Sequence, residues 1–208
     1  MIELLTADTP NGKKISIMLE EIKFDYKVTK INILKDEQFS PEFKKLSPFS
    51  KTPVIIDHEK KISIFESGAI LIYLGEKSEK FYDKDQRTTI NQWLMGQMAY
   101  VGPMLGQHHQ FHHYNPGKSD FGEKRYFKIS ERIYKELDER LCRSKFLAGK
   151  DYTIADIATF PWIARHEWHD IGLKKFEGLT RWYKEISTRE AVRRGYDLLA
   201  RGDKIPEV

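Results

Sequence analysis

The stretch from Thr52 to Leu74, TPVIIDHEKKISIFESGAILIYL, decides the fold of the first part of this chain. Val54 to Ile56 and Ile62 to Phe65 are short apolar runs separated by the polar Asp57-His58-Glu59-Lys60-Lys61, the pattern of a β-hairpin with a polar loop. Pro53 stands at the entrance of the first run. Lacking an N–H, proline belongs there only as a strand start, an edge or a turn. After the second run, Ser67 is the expected N-cap of a helix reaching Leu74.

Upstream, Ile2 to Leu5 reads as a short buried strand, followed by Thr9-Pro10-Asn11-Gly12. Thr9 suits an N-cap and Pro10 the first helical position. Ile15, Met18, Leu19 and Ile22 then recur at the spacing of one helix face, the stripe of a helix lying on a sheet. Tyr26 to Leu34 is strand-like with imperfect alternation, and Ser40-Pro41-Glu42 opens a short helix over Pro41 to Lys45. The resulting order, β-α-β-(α)-β-β-α, is thioredoxin-like: a parallel crossover, then an antiparallel hairpin and a closing helix. This domain is assigned residues 1–80. Phe81 to Gln86 form a polar linker, and from Arg87 onward a helical period dominates, with helices at about 87–113, 121–142, 153–169, 178–188 and 189–200. The second domain, 87–208, is therefore expected to be all-α.

A chain of 208 residues suffices for two small domains at about 150 residues or fewer each. Its 40% hydrophobic content excludes wholesale disorder. Lys and Arg number 35 against 31 Asp and Glu, with the signs interspersed, so the basic stripe of a nucleic-acid binder is absent. A mildly basic surface still suits small anionic ligands. The single Cys142 permits no internal disulfide, CxxC pair or zinc knuckle, which points to a reducing, cytoplasmic setting. No charged leader or cleavage site is readable in MIELLTADTPNGKK, and the longest apolar-leaning stretch, Gly68 to Leu74, falls far short of the roughly 20 residues that cross a bilayer. No membrane or nucleic-acid partner is expected.

Three local motifs carry chemistry. A trans Pro53 would merely start a strand; a cis Thr52–Pro53 bond would leave the Thr52 backbone groups able to pair with an extended peptide. Phe65-Glu66-Ser67-Gly68-Ala69 puts a carboxylate and a hydroxyl at a helix N-terminus, where free N–H groups and the positive dipole end attract an anion. Glu66 accepting from an ammonium and the helix end donating to a carboxylate would suit an α-amino-acid headgroup, although ordinary helix capping accounts for the same residues. Thr9-Pro10-Asn11-Gly12 lies at the first strand-to-helix turn, where thioredoxin-like oxidoreductases carry reactive cysteines. This chain has none there, so thiol chemistry would need a thiol supplied by the ligand, held as thiolate by the helix N-terminus and polar side chains.

Together the TP-N turn, TPV and ESGAI resemble the glutathione transferase family, whose corresponding motif is ESxAI. Tyr152-Thr153-Ile154-Ala155-Asp156 matches that family's (Y/F)-(S/T)-(I/L)-A-D pattern, a capping box whose role is structural. The resemblance covers about residues 1–200, and TPNGKKISIMLEE, QFSPEF, FESGAI and GPMLGQHHQFHH are most similar to the bacterial Nu-class branch. It implies a homodimer that binds glutathione at the seam of its two domains and favours glutathione-dependent disulfide reduction over conjugation of electrophiles. Glutathione, reduced or oxidised, is the implied co-substrate, with no metal and no protein cysteine in the cycle. By position, Thr9 and Asn11 face the glutathione sulfur as catalytic residues. Thr52 before Pro53 pairs with the cysteinyl unit through its backbone, and Glu66 and Ser67 hold the γ-glutamyl headgroup. Gln38 anchors the rest of the tripeptide, and Arg132 contacts a second glutathione moiety. Thr52 replaces an aliphatic residue of the family, and the first strand ends Leu5-Thr6 without a tyrosine, which excludes a tyrosine-activated mechanism there.

His108, His109, His112 and His113 make two i,i+4 pairs on an expected helix, a spacing compatible with a metal site. No HExxH motif or adjacent carboxylate accompanies them, so they are expected to line the substrate cleft instead.

Overall fold

A computed structural model describes all residues 1–208. The chain divides into two compact units, Met1–Tyr82 with Arg189–Lys204, and Asp83–Thr188 with Ile205–Val208.

The first unit is thioredoxin-like. Strands β1 (Ile2–Thr6), β2 (Tyr26–Lys30), β3 (Val54–Asp57) and β4 (Ile62–Phe65) form one mixed sheet in the order β2-β1-β3-β4. β1 runs parallel to β2 and antiparallel to β3, and β3 pairs antiparallel with β4. Helices α1 (Pro10–Ile22), α2 (Pro41–Leu46) and α3 (Ser67–Ser78) complete the expected order. Local chemistry explains their starts. Thr9 caps α1 by accepting from the Gly12 N–H at 3.1 Å, with Pro10 at the first helical position, and Ser40 caps α2 by accepting from Phe43 N–H at 3.3 Å. α2 covers one sheet face, where Phe43 packs with Leu5 and Val54, while α1 and α3 pack against each other.

Three expectations are revised here. The strand over Tyr26 to Leu34 stops at Lys30, and the next segment makes 3-10 turns at Ile33–Lys35 and Glu37–Phe39. Ser67 is the first residue of α3 rather than its cap; the cap position belongs to Glu66. Most consequentially, α1 is not buried along one stripe: Gly12 through Leu19 are all buried, including Lys13 and Lys14.

The cause is α10 (Glu190–Tyr196), which packs along α1 and so groups residues 189–204 with the first unit rather than with the helical one. Gly195 permits the approach, because a Cβ there would lie 2.5 Å from the Ile17 Cα and N. Ser16 Oγ donates to the Gly195 carbonyl, and Arg189 and Arg194 pair with Glu21 and Glu20. Lys13 ends the zip, its Nζ 3.0 Å from Asp8 and 3.3 Å from Asp203 and 4.1 Å from the Tyr196 ring centroid.

The second unit is helical: α4 (Arg87–Gly96), α5 (Gly102–His108), α6 (Asp120–Arg143), α7 (Ile154–Ile163), the short α8 (His166–His169) and α9 (Glu177–Ser187). The expected helix 87–113 runs to Tyr114 but contains two π-helical turns, Gln97–Val101 and His109–Tyr114. The expected helix 153–169 breaks after Ile163, with Pro161 inside its last turn. The capping box is formed as the spacing requires: Thr153 Oγ1 accepts from Ala155 N–H, and Asp156 accepts from Thr153 N–H at 3.0 Å. Asp156 also accepts from Leu147 N–H and the Trp182 indole, each at 2.9 Å, so this buried carboxylate is fully used in tying the core. No helix is long and apolar enough to cross a membrane.

Candidate functional site

Register brings the sequence-selected residues of the first unit to one end of the sheet. Leu5 pairs with Val54 and Val54 with Phe65, so three chain segments leave the sheet side by side. These are the turn after β1 that holds Thr9 and Asn11, the Thr52-Pro53 step before β3, and Glu66-Ser67 after β4. β2 ends at the same place, with Ile31 N–H donating to the Thr6 carbonyl, and its following loop carries Gln38.

Each segment has a local reason for its shape. In the first, α1 rises so close to β1 that a Cβ on Gly12 would stand 2.4 Å from Thr6 Oγ1 and 2.5 Å from the Ala7 carbonyl. Only glycine fits there, which fixes the turn that presents Thr9 and Asn11, both half-buried. In the second, the Thr52–Pro53 bond is cis. The Ser47 hydroxyl braces that loop by donating to the Lys51 carbonyl at 2.8 Å and accepting from Lys51 N–H at 3.1 Å. In the third, exposed Glu66 adopts φ 67° and ψ 116°, a left-handed conformation that costs a side chain about 1–3 kcal/mol and clusters at functional sites.

Behind Glu66 lies a residue that the sequence reading passed over. Lys14, on the first turns of α1, is 1% exposed and donates from Nζ to Ser67 Oγ at 3.3 Å. Ser67 is itself buried. Burial pulls the Lys14 ammonium well below its ordinary value, while the Glu66 carboxylate opposes that pull. In the sequence Lys13-Lys14 resembles a solvated pair; the segment that meets Lys13 arrives some 180 residues later, Lys14 meets Ser67 of α3, and the one local hint is that Lys14 sits four residues before Met18, on the apolar side.

Gln38 is half-buried; its amide nitrogen donates to the Ile33 carbonyl at 3.4 Å, and its buried Oε1 has no hydrogen-bond partner. A carboxamide held this way offers an acceptor for a ligand N–H. The arrangement as a whole combines an exposed carboxylate, a hydroxyl, the start of a twelve-residue helix and polar side chains at a second helix start. It suits a ligand carrying an ammonium, a carboxylate and a thiol or similar soft group.

Arg132 belongs to the other unit. It is exposed on α6 and, with Lys124, Arg125 and Lys128, lines a cavity of about 620 Å3 that also contains Tyr100 and Phe121. Four cations around an apolar floor suit a ligand bearing carboxylates.

The histidine-rich segment behaves differently from expectation. His108 and His109 are buried in the helical unit instead of lining a cleft. His109 Nε2 faces His169 Nε2 at 2.8 Å, Tyr134 O–H lies 2.6 Å from His169 Nδ1, and His108 Nε2 lies 2.9 Å from the His169 carbonyl. His112 stacks on His108 and His113 on Trp168. The π-helical turn from His109 gives this segment an offset that ordinary helical spacing does not predict. No group of three or more His, Cys, Asp or Glu is placed to hold a metal ion. Cys142 is exposed near the end of α6, in the helical unit.

Known proteins share this architecture. Residues 3–76 match the N-terminal domain and residues 112–190 the C-terminal domain of glutathione S-transferases. The chain is 41% identical over 198 residues to the disulfide-bond oxidoreductase YfcG of Escherichia coli, covering 92% of both chains, and 37% identical to YghU of the same organism, covering 93% of this chain and 73% of that one. Among solved structures, a Burkholderia graminis glutathione transferase with two glutathione molecules bound per subunit superposes with a TM-score of 0.91 at 36% identity, covering 97% of this chain and 89% of that one. A Pseudomonas putida glutathione transferase with one glutathione disulfide bound per subunit gives 0.89 at 38% identity, covering 95% and 91%. The chain belongs to the glutathione S-transferase family.

Proposed function

We propose that this protein is a glutathione-dependent disulfide reductase in which the bound glutathione thiolate, not a protein cysteine, is the nucleophile. The observation that carries the reading is the convergence of Thr9 and Asn11, Thr52-Pro53, and Glu66-Ser67 at one end of the sheet, while the single cysteine belongs to the helical unit. The two E. coli relatives are named disulfide-bond oxidoreductases, and the P. putida relative holds glutathione disulfide, which supports reduction over conjugation.

In this reading Glu66 accepts from the γ-glutamyl ammonium, and Ser67 with the start of α3 donates to its α-carboxylate. The backbone of Thr52, held by the cis Pro53, pairs with the cysteinyl unit, and Gln38 anchors the remainder. Asn11 and Thr9 face the sulfur and stabilise it as thiolate. The thiolate attacks one sulfur of a disulfide; a new S–S bond forms as the old one breaks, and the departing thiolate takes up a proton. A second glutathione thiolate then attacks the mixed disulfide, releasing the other half as a thiol and leaving glutathione disulfide. Arg132 and its neighbouring cations on α6 suit the carboxylates of that second glutathione.

A homodimer in the cytoplasm completes the reading. Leu34, Phe39 and Phe49 are large apolar side chains exposed on the first unit, surface that a second copy would cover.

The test is reduction of 2-hydroxyethyl disulfide by purified protein with glutathione, followed as NADPH consumption through added glutathione reductase, with Cys142→Ala in parallel. Turnover above the uncatalysed rate that survives this substitution is expected. Glutathione binding without disulfide turnover would overturn the reading in favour of conjugation or a non-catalytic binder.

A further inference from the structure

In the helical unit, side chains join elements that their own backbones leave loosely held. α8 is four residues long, follows the end of α7 beside Pro161, and is succeeded by Asp170 at φ 53° and Gly172 at φ 87°. The element it packs on is the π-helical turn His109–Tyr114. A helix this short between two backbone breaks has little hydrogen bonding of its own, the character of a segment that opens by itself. Tyr134 on α6, His169 at the end of α8 and His109 at the start of the turn form one hydrogen-bonded chain through it. We infer that this chain is an acid-sensitive latch: it pins α8 to the π-helical turn, and proton uptake by its histidines releases the two together while the rest of the helical unit stays folded.

The geometry supplies the sensitivity. The facing Nε2 atoms of His109 and His169, 2.8 Å apart, share one proton. His108 adds a third buried ring: its Nε2 lies 2.9 Å from the His169 carbonyl and so carries the proton, which leaves Nδ1 bare, buried and without a hydrogen-bond partner. A further proton therefore sets two N–H groups against each other or leaves a cation out of water. The surrounding charges do not help. Arg165, 4.2 Å from the Trp168 ring, and His166, His112 and His113 all oppose a positive charge on one or another of the three rings. Tyr183 of α9 meets only the edge of His166. The carboxylates that reach the cluster, Asp170 towards His108 and Glu167 towards His166, are both exposed. Opening returns the rings to water, where each takes up a proton near pH 6.5, so acid favours the open form.

Release of the turn reaches α6. Phe111 of the turn stacks on Tyr126 and lies so close to Gly122 that a Cβ there would stand 2.5 Å from its ring. The turn thus braces the stretch of α6 that bears Phe121 and Arg125, which line the 620 Å3 cavity, and opening the latch withdraws that brace.

Hydrogen exchange read by mass spectrometry on the whole protein at pH 7.5, 6.5 and 5.0, corrected for the intrinsic exchange rate, tests the latch. Amides of residues 109–114 and 164–171 should exchange faster than those of α7 at every pH and should respond less to low urea, the mark of an opening smaller than global unfolding. Between pH 7.5 and 5.0 their opening should increase by about 30-fold for each histidine that gains a proton, about 1,000-fold for the pair. His109→Gln keeps a side chain that can bridge to His169 but removes one titrating ring, and should cut that increase about 30-fold. Tyr134→Phe weakens the chain without removing a histidine; it should raise opening at every pH and leave the pH dependence intact, and it carries the test should His109→Gln fail to fold. Exchange of both segments at the same rate and urea dependence as α7, an opening that is constant from pH 7.5 to 5.0, or an undiminished increase in His109→Gln would each refute the latch.

Discussion

The two Nε2 atoms of His109 and His169 face each other at 2.8 Å inside the helical unit, an arrangement that has room for one proton and not for two. Tyr134 is held far on the protonated side by burial, so its O–H donates to His169 Nδ1; His169 must then carry its proton on Nε2 and donate to a bare His109 Nε2. Burial pushes His109 down to about 3, with His108, Arg165 and His113 adding to the effect, and burial likewise holds His169 well below the ordinary histidine value. Both are therefore neutral in the folded protein across the physiological range.

Acid sensitivity follows from that neutrality. Above pH 7.5 neither folded nor unfolded chain protonates these residues, and stability is unaffected by them. Below about 6.5 the unfolded histidines take up protons that the folded ones refuse, so stability falls with pH, by about 2 kcal/mol per histidine at pH 5. Urea unfolding at pH 7.5, 6.5 and 5.0 should show the midpoint dropping over this range, well above the pH at which carboxylates titrate. Superimposable curves at pH 7.5 and 5.0 would mean that the pair is protonated or open in the native state.

Gly195→Ala tests the seam between α10 and α1. The new methyl group meets the Ile17 backbone rather than a side chain that can turn aside, so the clash is relieved only by separating the two helices. The expected loss is about 3 kcal/mol, or roughly 6–12 °C in Tm for a chain of this size. Ser16→Ala, which removes the donor to the Gly195 carbonyl without adding bulk, should cost about 1 kcal/mol. Scanning calorimetry that ranks the two variants in the opposite order would show that α10 is only loosely attached.

The sequence is legible where structure is decided locally. Thr9 with Pro10, Ser40 with Pro41, and Thr153 with Asp156 carry their caps within three residues, and all three helices begin where those residues say. Two short apolar runs around a polar loop sufficed for the hairpin. What escaped depends on distant partners or on backbone conformations that no residue type announces. Ser67 looks like a better cap than Glu66, because nothing in a glutamate signals a positive φ. Lys13 finds Tyr196 and Asp203 at the other end of the chain and Lys14 finds Ser67 on α3, and His169 becomes a chemical neighbour of His109 only after α7 has broken and α8 has formed. The proposed site residues Thr9, Asn11, Thr52, Glu66 and Ser67 each belong to a short motif, and the sheet register brings those motifs to one end of the sheet. Lys14 belongs to no such motif.

Glu66→Gly separates stability from binding. Glycine adopts the left-handed conformation freely, and against the about 1–3 kcal/mol of relieved strain stands roughly 0.5–1 kcal/mol of additional chain entropy. Loss of the carboxylate that supports the charged form of Lys14 offsets that relief, so the melting temperature should change little, while glutathione affinity falls ten-fold or more because the ammonium loses its acceptor. A destabilised Glu66→Gly would show that the carboxylate matters to the fold chiefly as the counter-charge of Lys14.

Asn11→Ala addresses the thiolate. Lowering a thiol pKa from about 8.5 to about 6.5 raises the thiolate fraction at pH 7 roughly 25-fold, yet a Brønsted coefficient near 0.45 takes back about 8-fold in nucleophilicity, leaving a net gain of only about 3-fold. Most acceleration must then come from holding the thiolate in line with the disulfide, where effective molarities are large. If Asn11 donates to the sulfur, deleting its amide removes a charge-assisted hydrogen bond of about 1.5–3 kcal/mol. The bound thiol pKa should therefore rise by one to two units. At pH 7 kcat/KM should fall by more than the roughly 3-fold net effect of ionisation and nucleophilicity together, and raising the pH should recover the ionisation part but not the loss of alignment. Thr9→Ala, which removes the Gly12 N–H acceptor, should cost about 1 kcal/mol of stability as well. The thiol pKa is read from the thiolate absorbance of the bound ligand and from the acid limb of the rate profile; a limb at the same pH in parent and Asn11→Ala would assign activation of the sulfur to Thr9 or to the α1 N-terminus alone.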